Sequence, residues 1–156
     1  MLREFLAWHR VAVERKIAGL CRRELGRRLL PSRTTIGGLV KHLALVEDSW
    51  FNDRFSGKDP VEPWKSAPFD RDIDWDFHSA EENDATDLLA LYRAACRRSE
   101  AIEAAAESLD VLSVEAAADG QYWSLRYIMI HLIEETARHL GHADILRELH
   151  DGATGE

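Results

Sequence analysis

Residues 122–149, YWSLRYIMIHLIEETARHLGHADILREL, decide how the rest of the chain is read. Leu125, Ile128, Met129, Leu132, Ile133, Leu140 and Leu146 recur at three- and four-residue intervals, the stripe of a helix packed on one side. Ser124 can accept from the free amides of the first turn, and Gly152 lies just past the far end. Beside the stripe run His131, Glu135, His139 and His142. At about 100° per residue they fall within roughly 80° of one another around the helix axis, so one face offers imidazoles and a carboxylate together.

Working outward, three more segments have helical periodicity. Residues 2 to about 18 carry Phe5, Leu6, Val11, Val13 and Ile17 among charged neighbours, and Gly19 weakens the helix there. An arginine-rich stretch up to Arg33 reads as a short helical turn and a connection closed by Pro31. Its Arg22, Arg23, Arg27 and Arg28 form a solvated face. A second long helix is expected from about Thr35 to Phe55, capped by Thr34 or Thr35. Leu39, Leu43, Val46 and Trp50 should face the core, with His42 on the border of that row. The pair Gly37 and Gly38 suggests close approach of another backbone. A third helix is expected from about Ala85 to Ser108, capped by Asp84 or Thr86, with Leu88, Leu91, Tyr92, Ala95, Ile102 and Ala105 inward. Asp110 to Gly120 reads as a turn.

Between the second and third helices, residues 57–84 break the pattern with Pro60, Pro63 and Pro68, yet carry Trp64, Phe69, Trp75 and Phe77. A connection this long should fold back and pack through its aromatics. Asp74-Trp75-Asp76-Phe77 alternates like a short extended piece, and His78 is expected to be exposed. The fold class is therefore all-α, a four-helix bundle with a long crossover between helices 2 and 3, in one domain over residues 1–156.

Composition narrows the partners. A formal net charge of -8 repels nucleic-acid backbones and anionic membranes. The start, MLREFLAWHR, lacks the apolar run of a signal peptide, and no stretch approaches the roughly 18 to 20 apolar residues that span a bilayer. Cys21 and Cys96 are too few and too isolated for a disulfide framework, and read as reduced, half-buried packing residues. A cytoplasmic location is the expectation.

Glu135 and His139 are one helical turn apart, close enough to hold one ion at about 2.0 to 2.2 Å each. A third ligand must come from another helix, and His42 is the best candidate. A His, Glu, His set leaves positions open for water or substrate, as catalytic zinc sites do. The alternative, histidines as polar edge residues without an ion, stays open on spacing alone. The string is neither the zinc-protease pattern nor a di-iron carboxylate bundle.

The combination TTIGGLVKHLALVEDSWF with YWSLRYIMIHLIEETARHLGHADILRELHDGATG resembles the DinB/YfiT-like superfamily of bacterial four-helix bundles, in an actinobacterial branch. The resemblance covers nearly the whole chain. It implies a three-ligand metal site, often zinc or nickel, with His42, Glu135 and His139 at the ligand positions. Histidine is commoner at the middle position, and the related mycothiol-dependent maleylpyruvate isomerases have glutamate there. His142 stands where many members have glutamine, and His131 has no ligand counterpart. The resemblance further implies a metal-dependent thiol transferase using mycothiol as co-substrate on an electrophile, with homodimers formed through bundle faces. A non-catalytic module that keeps its metal for stability is the rival reading. Glu134 and Glu47 are candidate partners for the ligand imidazoles, and Trp50, Trp123 and Tyr127 candidate cavity walls, each better read as core. Arg126 and Arg138 are candidates for pairing with a substrate carboxylate, though better read as surface salt bridges.

Overall fold

The computed structural model describes residues 1–155. Among them are six α-helices and one two-stranded hairpin, so the chain is mostly helical. Helix α1 spans Leu2–Ile17, α2 is one turn at Arg22–Leu25, and α3 runs Ile36–Glu47. The backbone then continues into a π-helical stretch, Asp48–Phe55. A turn of helix α4, Trp75–His78, and a tighter turn, Ser79–Glu82, precede α5, Ala85–Ala105. Strands β1, Leu112–Ala116, and β2, Tyr122–Ser124, pair antiparallel before α6, Leu125–Asp151.

The long helices start where short polar side chains can satisfy free amides. Thr35, Asp84 and Ser124 accept from the backbone N–H of Gly38, Asp87 and Tyr127, at 3.0, 2.9 and 3.2 Å. Thr34 and Thr86 are not the caps. Gly152, at φ +78°, closes α6 in the left-handed conformation that favours glycine.

Helix α1 lies along α6 and α3 along α5, while α3 also meets α6. The core falls into two apolar clusters. One gathers Val13, Ile17, Leu39, Leu43, Leu88, Tyr92 and Leu140; the other gathers Leu6, Val46, Phe51, Leu125, Ile128, Met129 and Leu132. Between them in chain order sit Arg10 on α1 and Thr136 on α6, and Glu47 follows Val46 of the second cluster on α3; all three are buried. The Arg10 guanidinium donates to Glu47 at 2.7 and 2.8 Å and to Glu103 of α5 at 3.1 Å. A charged layer thus crosses the interior. Phe5 and Val11, which belong to the sequence pattern of α1, are exposed, whereas Arg10 and Lys16 are buried.

Several expected boundaries are corrected. Helix α6 begins at Leu125, just after the expected cap Ser124, but Tyr122–Ser124 before it pairs with β1 and Trp123 N–H donates to Ser113 Oγ at 3.0 Å; the expected turn after Asp110 holds β1. The second helix is not α-helical to Phe55. At its change of winding, Asp48 accepts from Arg98 at 2.7 and 2.8 Å and from Trp64 Nε1 at 2.8 Å, which ties α3, α5 and the crossover together. Helix α5 ends at Ala105, and that residue is exposed instead of inward. Asp74–Phe77 is not extended: Phe77 and His78 N–H both bond back to Asp74 C=O at 3.0 Å, winding the segment into α4. His78 is half-buried, its Nδ1 2.8 Å from Asp72 Oδ2. Cys21 is exposed and Cys96 buried.

The crossover does pack through its aromatics. Trp64 is buried, and Phe69, Trp75 and Phe77 lie against the first cluster. Gly38 lets α4 come close: a Cβ there would stand 3.0 Å from Phe77 Cδ1 and 3.3 Å from Phe77 O. Lys41 fastens the same segment, donating to Ser79 Oγ at 2.8 Å and Asn83 Oδ1 at 2.9 Å with its ammonium 4.6 Å above the Trp75 ring.

Candidate metal centre

His42 projects from the middle of α3, and Glu135 and His139 project one turn apart from α6. Because α3 and α6 meet, the three side chains converge, with one ligand atom from each inside a set no wider than 4.8 Å. His139 Nε2 lies 3.1 Å from Glu135 Oε1, and His42 Nε2 lies 3.6 Å from the same oxygen. The two rings meet edge to face, with centroids 4.9 Å apart.

This donor set fits a divalent ion. Ligand atoms at about 2.1 Å from a tetrahedral centre are roughly 3.4 Å from each other, and the two measured separations bracket that value. Two imidazoles and a carboxylate are borderline ligands of the kind zinc and nickel accept. The protonation states suit the task as well. Burial alone would raise the Glu135 carboxyl, but the charges and hydrogen bonds of His139 and His42 outweigh it and hold it below its ordinary range. Burial, then the charge of His42, pulls His139 below its ordinary range against the opposing pull of Glu135. Both shifts favour the forms a metal needs, an ionised carboxylate and a neutral imidazole.

The surroundings differ from the sequence expectations in one important way. The carboxylate beside His42 is Asp76 of α4, whose Oδ2 is 2.7 Å from His42 Nδ1. Glu134 is exposed, and Glu47 is committed to Arg10. No short-range spacing links Asp76 to His42; its one sequence signal is an acidic residue between two aromatics of a connection that has to pack. Phe77 stacks on the His42 ring, with centroids 4.7 Å apart and planes at 25°.

His142 and His131 stand outside the cluster. The His142 ring is 5.5 Å from that of His139 but contributes no atom to the set. His131 packs on Trp50 at 4.5 Å and parallel to Tyr127 at 6.2 Å, while Trp50 meets Trp123 edge to face at 5.3 Å. This aromatic wall lies one turn of α6 before Glu135, with Trp50 and Trp123 half-buried and Tyr127 exposed. Arg126 pairs with Asp110 at 3.0 Å, and the exposed Arg138 reaches Glu135 Oε2 at 3.7 Å. Both are surface ion pairs, the second touching the back of a candidate ligand.

Against known families, residues 1–152 match the model of the mycothiol-S-transferase family. No curated protein matches the chain. With all but its last few residues covered, the chain belongs to the mycothiol-S-transferase family, a DinB/YfiT-like family.

Proposed function

We propose that this member of the family joins the sulfur of mycothiol to an electrophile at a metal centre held by His42, Glu135 and His139, with zinc or nickel as the ion. The observation that carries the reading is the convergence of those three ligand atoms, from two separate helices, in a chain that the family covers almost end to end. When bound, a divalent ion with an open position lowers the pKa of a thiol and favours the nucleophilic thiolate at neutral pH. The thiol gives up its proton, the sulfur forms a bond to the electrophilic atom, and the electrons of the bond that breaks go to the departing group or the adjacent atom, which takes up a proton in return.

The chain's own residues set the conditions for that step. His139 presents a neutral nitrogen, His42 a second imidazole, and Glu135 offers one negative charge to a divalent centre. A three-residue set leaves part of the coordination sphere to substrate, which favours a catalytic over a purely structural role. Trp50, Tyr127 and His131 extend an aromatic surface along α6 from the centre. In this reading the four long helices α1, α3, α5 and α6 form a single-domain four-helix bundle that carries the site between facing helices, as such bundles do. A cytoplasmic location and a homodimer are both part of the proposal. Among the described residues no helix is long and apolar enough to cross a membrane.

Metal content tests the centre. Purified protein is expected to hold close to one zinc or nickel per chain, and His42→Ala and His139→Ala variants prepared alongside should hold almost none. Wild-type protein that stays metal-free after incubation with both ions would overturn the metal centre. Metal-loaded protein that conjugates mycothiol to no member of an electrophile panel would overturn the transferase reading and leave a metal-stabilised module.

A further inference from the structure

His42 is the one candidate ligand outside α6, so the centre depends on how its ring is aimed. An imidazole presents Nε2 to a metal only when Nδ1 carries the proton, and that tautomer is set by what Nδ1 meets. Here Nδ1 meets Asp76 Oδ2 at 2.7 Å. A carboxylate oxygen accepts, so the imidazole donates through Nδ1–H, and Nε2, which lies toward Glu135, is the nitrogen left for a metal. The Asp76 side chain is only 4% exposed, which excludes most competing water.

The carboxylate does not act alone. Phe77, the next residue, lies flat against the ring and blocks its rotation out of the plane. Gly38, one turn before His42, has no Cβ to push Phe77 away. Lys41, beside His42 in sequence, anchors the far end of the segment through Ser79 and Asn83. Four features from α3 and the crossover therefore hold one ring in one orientation.

We infer that Asp76 is a positioning residue for the metal centre: it fixes the Nδ1–H tautomer of His42 and, with Phe77 stacked on the ring, makes the crossover a working part of the site. The inference deepens the metal reading, and its effect on affinity rests on that reading. An outer carboxylate of this kind orients the ligand and raises its basicity, and losing one costs roughly ten- to a hundredfold in metal affinity.

The test compares wild type with Asp76→Ala, Asp76→Asn and Asp72→Ala. Asp72 lies in the same segment and bonds to His78, so its removal disturbs the crossover without touching His42. Zinc affinity is measured by competition with a chromophoric chelator, and the His42 tautomer by nitrogen–proton correlation NMR on metal-free protein. Asp76→Ala should weaken zinc binding roughly ten- to a hundredfold and turn His42 from one tautomer into a mixture. Asp76→Asn keeps the shape and a neutral acceptor, so it should keep the tautomer and lose less affinity. Asp72→Ala should match wild type in both measurements. Unchanged affinity and tautomer in Asp76→Ala, or an equal loss in Asp72→Ala, would overturn the inference. Wild-type protein that binds no zinc would defeat the metal reading, while the tautomer, read without metal, would still decide what Asp76 does.

Discussion

At the scale of single residues, Glu135 and His139 have their proton affinities shifted by burial and by the neighbouring side chains of the cluster before any ion arrives. His139 is the clearest case. In the unfolded chain it titrates at its usual 6.5, whereas in the fold burial and the nearby His42 keep it neutral to lower pH. Between those two values the unfolded chain takes up a proton that the folded protein refuses. Stability from this residue is therefore lost as pH falls below the usual value and regained as pH rises back toward it. Urea midpoints of metal-free protein, followed from about pH 7.5 to about pH 5.5, should fall more steeply for wild type than for His139→Gln. Parallel declines would show that the fold does not shift this histidine. The three candidate ligands could be picked out in the sequence because two of them share one helix face and the third borders the apolar row of another. Asp76 was not, since it lies 34 residues from its partner and no helical or strand period relates them.

At the scale of elements, the charged layer is the part of the packing that apolar periodicity does not describe. Arg10 is 6% exposed, and Glu47 and Glu103 are 1% and 4% exposed, so three helices share one buried guanidinium between two carboxylates. Such a layer adds little net stability against an apolar one of equal fit, but removing a single partner leaves charge uncompensated, at a cost of about 3–5 kcal/mol. Arg10→Met should therefore cost that much in urea unfolding, a large share of the about 5–15 kcal/mol typical of a domain. A loss under about 1 kcal/mol would mean that the carboxylates find other partners or protons. Glu103 already leans that way: burial raises its carboxyl above the ordinary range despite the opposing charge of Arg10. Periodicity places Arg10 one residue short of Val11, yet the fold buries the arginine and exposes the valine. Only the presence of Glu47 and Glu103 opposite makes that exchange favourable.

At the scale of the whole molecule, a metal that bridges α3 and α6 couples binding to folding. An ion that binds only the folded chain stabilises it by about 2.7 kcal/mol at a hundredfold excess over Kd. For a chain of 156 residues that corresponds to a rise in Tm of roughly 5–10 °C. Thermal unfolding with and without zinc should show this rise in wild type and none in His42→Ala. An equal rise in both would place the ion somewhere other than between these helices. The formal charge of -8 acts at the same scale, keeping polyanions away while drawing divalent cations toward the protein.

The amino-acid sequence by itself determined the four long helices, the cap at Ser124, the choice of caps for α3 and α5 to within two residues, and the His- and Glu-bearing face of α6, because each follows from relations within one or two turns: a hydroxyl or carboxylate next to free amides, or apolar groups every three or four residues. It also carried the family, through strings that span α3 and α6. Tertiary structure alone decided that Tyr122–Ser124 pairs as a strand, that the α3 backbone widens at Asp48, that Arg10 goes inward, and that Asp76 and Phe77 close on His42. In each of these the deciding partner lies in another element, and no local spacing encodes a contact between elements.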